Sequence, residues 1–207
     1  MSVIAFVGNK GGVGKTTLSL NFSVGVLQQA SVALIDADPQ GSAVQWSRIS
    51  EDAQGLDVYE AAQDDLHAQI STLREKYDHL IIDCPPYLQS PQTLAVLQVA
   101  DIALIPVLPS PIDLWATVHV ETAVEEARKT NPDLHTLLVI NQLEVRTTFS
   151  RVMRDALSEI QFDVAKAEIR RRAVYRNSVL EGKTVFNVGS AGKDAAEELD
   201  KLIKEVV

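Results

Sequence analysis

A stretch near the N-terminus collects the residue types that a nucleotide's phosphates require: Gly8-Asn9-Lys10-Gly11-Gly12-Val13-Gly14-Lys15-Thr16-Thr17. Glycines let the backbone wrap tightly, so successive N–H groups point at phosphate oxygens, and a helix starting at the end of the loop adds a favourable partial positive charge. Gly11, Gly12, Val13, Gly14 and Thr17 would form the cradle. Lys15 would neutralise the β- and γ-phosphates, and Thr16 would offer its hydroxyl to Mg²⁺. The loop departs from the usual Gly-x-x-x-x-Gly-Lys-Thr pattern because Asn9 stands where the first glycine belongs, and a second lysine, Lys10, follows it.

Three further polar residues end apolar runs. Asp36 closes Ala33-Leu34-Ile35, and a carboxylate there lies at the sheet edge where ligands bind, although the same residue could cap a helix. Asp38, just before Pro39, suits a cap equally well. Asp83 closes His79-Leu80-Ile81-Ile82, an acid-ended apolar strand of the kind that holds Mg²⁺ directly or through water. Asn141 closes Leu137-Leu138-Val139-Ile140, and its amide can both donate to and accept from a purine edge. Cys84 has no histidine beside it in sequence and reads as a small buried residue. The four histidines and one cysteine show no metal-ligand spacing. Trp46 and Trp115 fall on expected helices and read as packing residues.

These residues need a frame. Strand-length apolar bursts at Val3–Val7, Val32–Ile35, Leu80–Ile82, Ile102–Val107 and Leu137–Ile140 are continuous rather than alternating, which implies burial on both faces. Amphipathic stretches between them predict helices over Lys15–Gln29, Asp64–Lys76, Ile112–Thr130, Thr148–Gln161 and Lys193–Val207, the last packing on the sheet. The expectation is an α/β fold of the P-loop type: a doubly wound, mostly parallel twisted sheet with helices on both faces. At 207 residues, with no linker, repeat or low-complexity tract, residues 1–207 read as one domain. No apolar run approaches membrane-spanning length, no signal peptide opens the chain, and one cysteine excludes an internal disulfide; the expected compartment is the cytoplasm.

The net charge of −9 argues against a wholly nucleic-acid-binding surface, but it is unevenly spread. Between Arg146 and Lys183 nine Lys/Arg face five Asp/Glu, while the remainder holds ten against twenty-three. Arg170, Arg171, Arg172 and Arg176 crowd into seven positions. They would give salt-dependent phosphate contacts to duplex without sequence choice, or form a solvated cluster paired with Glu168 and Glu181.

The string Lys-Gly-Gly-Val-Gly-Lys-Thr-Thr at 10–17 resembles the deviant Walker A motif of the ParA/MinD family, and the resemblance covers nearly the whole chain. It implies an ATP-sandwich homodimer in which Lys10 crosses to the opposite subunit's phosphates. It further implies that Asp36 positions the attacking water and, with Thr16 and Asp83, binds the metal, and that Asp38 supports the magnesium shell or the dimer contact. Asn141 would read adenine, and Pro111, within Pro106–Asp113, would lie near the nucleotide unless it serves only as a rigid helix entry. The arginine segment matches the region that small ParA proteins use for nonspecific DNA. The resemblance thus implies a Mg²⁺-dependent ATPase on the nucleoid, stimulated by a cargo-linked adaptor and positioning a plasmid, chromosome or protein assembly. Without the N-terminal helix-turn-helix extension of large relatives, sequence-specific repression is not expected. A MinD-like membrane ATPase is disfavoured by the acidic C-terminal helix and an iron-protein-like reductase by the lack of cluster cysteines; a binding module without turnover is disfavoured by Asp36.

Overall fold

The five apolar runs and two further short strands form a seven-stranded sheet in the computed structural model, which describes residues 1–50, 55–62, 65–144 and 162–207. The strands are β1 (Ser2–Phe6), β2 (Val32–Asp36), β3 (Asp57–Glu60), β4 (His79–Asp83), β5 (Ile102–Val107), β6 (His135–Ile140) and β7 (Asp163–Val164). They lie in the order β3-β2-β4-β1-β5-β6-β7, and every pairing is parallel. Strands joined in this way need long crossovers, and helices supply them.

Side chains alternate across the sheet, so each strand feeds two cores. Val3, Ala5, Ala33, Ile35, Leu80 and Ile82 face one core, under α3 (Leu66–Arg74), α4 (Pro91–Leu97) and α5 (Pro111–Arg128). Ile4, Phe6, Val32, Leu34 and Ile81 face the other, under α1 (Lys15–Leu27), α2 (Ser42–Ile49), α6 (Ala173–Leu180) and α7 (Lys193–Val206). Fully burying one such side chain contributes about 1.5–3 kcal/mol, which is why the apolar runs could not alternate with polar residues.

Helix α1 is buried from Leu18 to Val26. Its polar residues satisfy one another: Ser19 donates to the Thr16 carbonyl at 3.0 Å, Ser23 to that of Ser19 at 2.7 Å and Asn21 to that of Thr17 at 2.7 Å. Helix α7 packs chiefly on α1 rather than directly on the sheet, because α1 already occupies that face. Gly25 lets the two helices close up. A β-carbon there would stand 2.4 Å from Ile203 and 2.8 Å from Phe186.

The expected helices at the phosphate loop, before β4, after β5 and at the C-terminus are all present, with ends shifted by a few residues. The helix expected over Thr148–Gln161 lies outside the described residues. Trp46 is buried, but Trp115 is not the packing residue expected: it is 70% exposed on α5, as Ile112 is at 66%. Among the described residues no helix is long and apolar enough to cross a membrane.

Candidate functional site

Strand order decides where the polar residues meet. β1 lies between β4 and β5, and the chain winds away from it in both directions, so a crevice opens at the C-terminal ends of β1, β2, β4 and β5. The loop from Gly8 to Gly14 fills that crevice. Gly12 and Gly14 have φ of +81° and +94°, and a β-carbon at Gly14 would lie 2.5 Å from the Asn141 amide nitrogen. Only glycine fits there. No side chain caps the start of α1, which leaves its first N–H groups directed at the crevice for an anion to satisfy.

Lys15 is buried, and its Nζ donates to the Lys10 carbonyl at 3.1 Å, inside the loop it would share with a phosphate. Burial holds its pKa below the usual lysine value, opposed by the charge of Asp83. The parallel register sets Asp36 level with Asp83 on the neighbouring strand. Asp83 is wholly buried, and among the described residues no donor meets either carboxylate oxygen in good hydrogen-bonding geometry. Burial pushes its pKa up to about 7, against the pull of the Thr16 hydroxyl and Lys15. An orphaned buried carboxylate beside a hydroxyl is a poor structural element, but it fits a hard oxygen-seeking cation bridged to phosphate. Thr16 and Asp83, with Asp36 behind them, could hold such an ion.

Asp36 ends β2 at the crevice and also caps a helix. Its carboxylate caps the first turn of α2, accepting from Ala43 N at 2.8 Å and Val44 N at 3.0 Å, and it also accepts from Asp38 N at 3.2 Å. A carboxylate has about four acceptor positions, so capacity remains for a water. Burial raises its pKa and those three amides oppose the rise. Asp38 caps no helix; it closes a turn by accepting from Gln40 N at 2.9 Å.

Lys10 stands at the rim, 47% exposed, with its Nζ 2.9 Å from Asp113 Oδ1. Asp113 is buried and also takes the Ser110 hydroxyl, whose oxygen caps α5 by accepting from Asp113 N at 3.2 Å. The sequence reading overlooked Asp113, although Ser-x-x-Asp at 110–113 is a readable capping signature. Pro111, expected near the nucleotide, sits exposed at the first turn of α5 and lines neither large cavity beside the loop. Its fixed φ suits helix entry.

A cavity of about 520 Å³ opens on the Asp36 side, lined by Asp38, Glu60, Asp65, His67 and Gln92 among others. A second, of about 360 Å³, opens on the opposite side of the loop between Gly14, Thr17, Asn141, Gln142 and the segment from Arg170 to Arg176. Asn141 does not project freely into it. Its Nδ2 donates to the Val13 carbonyl at 2.7 Å and its Oδ1 accepts from Gln142 N at 2.9 Å, leaving one donor and one acceptor for a base. Gln142, also overlooked, has φ of +55° and donates to the Gly12 carbonyl at 3.2 Å.

The arginines expected to face DNA are mostly engaged at home. Arg172 pairs with Glu198 at 2.8 Å and Asp194 at 3.1 Å, Arg170 with Glu198 at 3.6 Å and Arg171 with Glu144 at 2.5 Å. Arg176 is exposed and makes no ion pair among the described residues. Tyr175 is buried and donates to the Ala195 carbonyl at 3.2 Å, so it packs rather than stacking on a base. Removing Arg170 and Arg172 would strand the buried Glu198, so their role cannot be tested by deleting the cluster and expecting an intact fold.

A glycine-wrapped loop at a helix start, a buried lysine and two strand-end carboxylates at one crevice define a phosphate-loop nucleotide-binding protein. Residues 4–185 match the model of the CobQ/CobB/MinD/ParA nucleotide binding domain, and the chain belongs to that family. It is 41% identical to Maintenance of carboxysome distribution protein A of Halothiobacillus neapolitanus, over 99% of this chain and 95% of that protein. Two solved structures share the fold. The ATP complex of Cyanothece McdA superposes with a TM-score of 0.76 at 18% identity, covering 99% of this chain and 95% of that one. Cobyrinic acid a,c-diamide synthase of Mycobacterium smegmatis, with bound ATP analog and magnesium, gives 0.77 at 22% identity with the same coverage.

Proposed function

We propose that this chain is a ParA-type positioning ATPase, one domain over residues 1–207, which distributes carboxysomes or a similar protein cargo. The observation that carries the reading is the pair of lysines in one loop: Lys15 is buried where phosphates would lie, and Lys10 is held at the rim by Asp113. A lysine serving its own subunit's phosphates would point inward. Lys10 is instead held by Asp113 at the rim, which supports a role towards a second copy docked loop to loop. The 41% identity to a carboxysome-distribution protein, over 99% of this chain, supports the choice of cargo.

In this reading the loop N–H groups and Lys15 bind the triphosphate of ATP, and Mg²⁺, when bound, neutralises charge developing between the β- and γ-phosphates. Thr16 and Asp83 hold the ion. Asp36, anchored by α2, orients the attacking water, while Asp38 lies close by for the dimer contact. Lys10 leaves Asp113 for the opposite subunit's phosphates, so hydrolysis and dimerisation are linked. Asn141 meets adenine with its remaining donor and acceptor. The dimer binds nonspecific DNA through Arg176 and the outward parts of Arg170, Arg171 and Arg172, which places it on the nucleoid in the cytoplasm. An adaptor carried by the cargo stimulates hydrolysis and releases it.

Retention on random-sequence duplex tests this directly, with Mg²⁺-ATP, Mg²⁺-ADP or no nucleotide, across a salt series and alongside phosphate release. Retention only with ATP, falling steeply as salt rises, is expected. Phosphate release without retention under any condition would refute the DNA-borne mechanism and leave the ATPase.

A further inference from the structure

The outer wall of the 360 Å³ cavity is the stretch from Arg170 to Ala173, and the wall needs support because most of it lies outside any strand or helix. On one side Leu143 braces it: Leu143 N donates to the Ile169 carbonyl at 2.9 Å, and Arg171 N to that of Leu143 at 3.0 Å. On the other side the C-terminal helix α7 clamps both the wall and the residues leading into it. Glu205 takes Lys166 N and Ala167 N, each at 2.8 Å. Glu198, only 8% exposed, takes Arg170 N at 3.1 Å and Arg172 Nη2 at 2.8 Å. Charge-assisted bonds converging on one buried carboxylate are the strong kind.

Strand order tells which end of a nucleotide this cavity receives. The carboxylates Asp36 and Asp83 end β2 and β4 on one side of β1, so the metal-bearing phosphate end belongs there. The cavity lies on the other side, past Gly14 and Thr17 towards β6. A triphosphate held in the loop therefore extends its uncharged end, ribose and base, against the Arg170–Ala173 wall.

We propose that Glu198 is a positioning residue for the nucleoside end of the site: from α7 it fixes the wall through Arg170 and Arg172 and so sets affinity for ribose and base without touching phosphate. This rests on the reading of the crevice as an ATP site. It also gives α7 a share in nucleotide recognition, although it lies in the last part of the chain.

The test compares binding of a non-hydrolysable ATP analogue with binding of tripolyphosphate, both with Mg²⁺, to wild type, Glu198→Gln, Glu198→Asp and Glu205→Gln by titration calorimetry. Glu198→Gln should weaken the analogue about tenfold, as the loss of a charge-assisted bond predicts, and hold tripolyphosphate no more weakly than wild type does. Glu198→Asp should recover part of the loss, and Glu205→Gln, which loosens the same segment away from the cavity, should change little. A folded Glu198→Gln protein that binds the analogue as wild type does, or loses both ligands in equal proportion, overturns the assignment. Should Glu198→Gln not fold, Arg172→Gln carries the same comparison, because it frees the wall while leaving Glu198 its Arg170 contacts. Wild type that binds neither ligand would instead refute the ATP-site reading.

Discussion

Replacing Asp83 by Asn separates the cost of its buried charge from the use of that charge. The side chain keeps its shape but loses its titration. In the folded chain the carboxyl has a pKa of about 7, against an ordinary value of 3.8. The folded state therefore binds this proton more tightly than the unfolded state does. Stability from this group is fully present below the unfolded value and is lost as pH rises through about 7. A shift of roughly three units at about 1.4 kcal/mol each sets the loss at ~4 kcal/mol at most. Urea unfolding in EDTA without nucleotide, from pH 5 to 8.5, should show the wild-type free energy declining towards pH 8 relative to Asp83→Asn. The variant should be the more stable protein at pH 8. Mg²⁺ and ATP should then stabilise wild type more at pH 8 than at pH 6, since cation binding requires the ionised carboxylate, and should stabilise the variant far less. Parallel pH profiles for the two proteins in EDTA would refute the claim that Asp83 is a charge kept for a cation.

The Lys10–Asp113 pair opposes any use of Lys10 elsewhere, and with Lys10 nearly half exposed it is worth about 1 kcal/mol after screening. Asp113→Asn should raise the ATP-dependent dimer fraction several-fold in sedimentation, whereas Lys10→Ala should abolish the dimer and leave nucleotide binding measurable; an unchanged fraction in both would remove Lys10 from the dimer contact. Gly25→Ala should lower the melting temperature, because overpacking Ile203 and Phe186 costs about 1–3 kcal/mol and the gain in helix propensity is about 1. A rise in melting temperature would show that α1 and α7 part without cost.

Much of the chemistry was legible because short-range rules govern it. A Gly-Lys-Thr string between a strand and a helix has few alternatives, and Asp36 and Asp83 were visible as acids ending apolar runs. The double life of Asp36 was half-visible, since its partners Ala43 and Val44 come from the next helix. Elements with weak periodicity escaped: β3 is a four-residue edge strand reading Asp-Val-Tyr-Glu with no fully buried residue, and β7 has two residues. The ion pairs of the arginine segment were not legible, because local density of charge says nothing about carboxylates brought from far along the chain. Glu198 stands 26 residues beyond Arg172 and carries no local signal of its role. Asn141 looked free for the same reason: its partner Val13 lies 128 residues away.

The central place of β1 makes its surroundings depend on residues far along the chain. β1 pairs with β4 and β5, both later in the chain, so Ile4 has neighbours on both sides only once Ile81 and Ile102 are in place. Val3 N waits for the carboxylate of Asp101, 2.6 Å away in the finished fold. Helix α1 waits longer still, since Asn21 in its buried face completes its hydrogen bonding by accepting from Val185 N at 2.8 Å. The phosphate loop between β1 and α1 is thus braced by residues that follow it far along the chain.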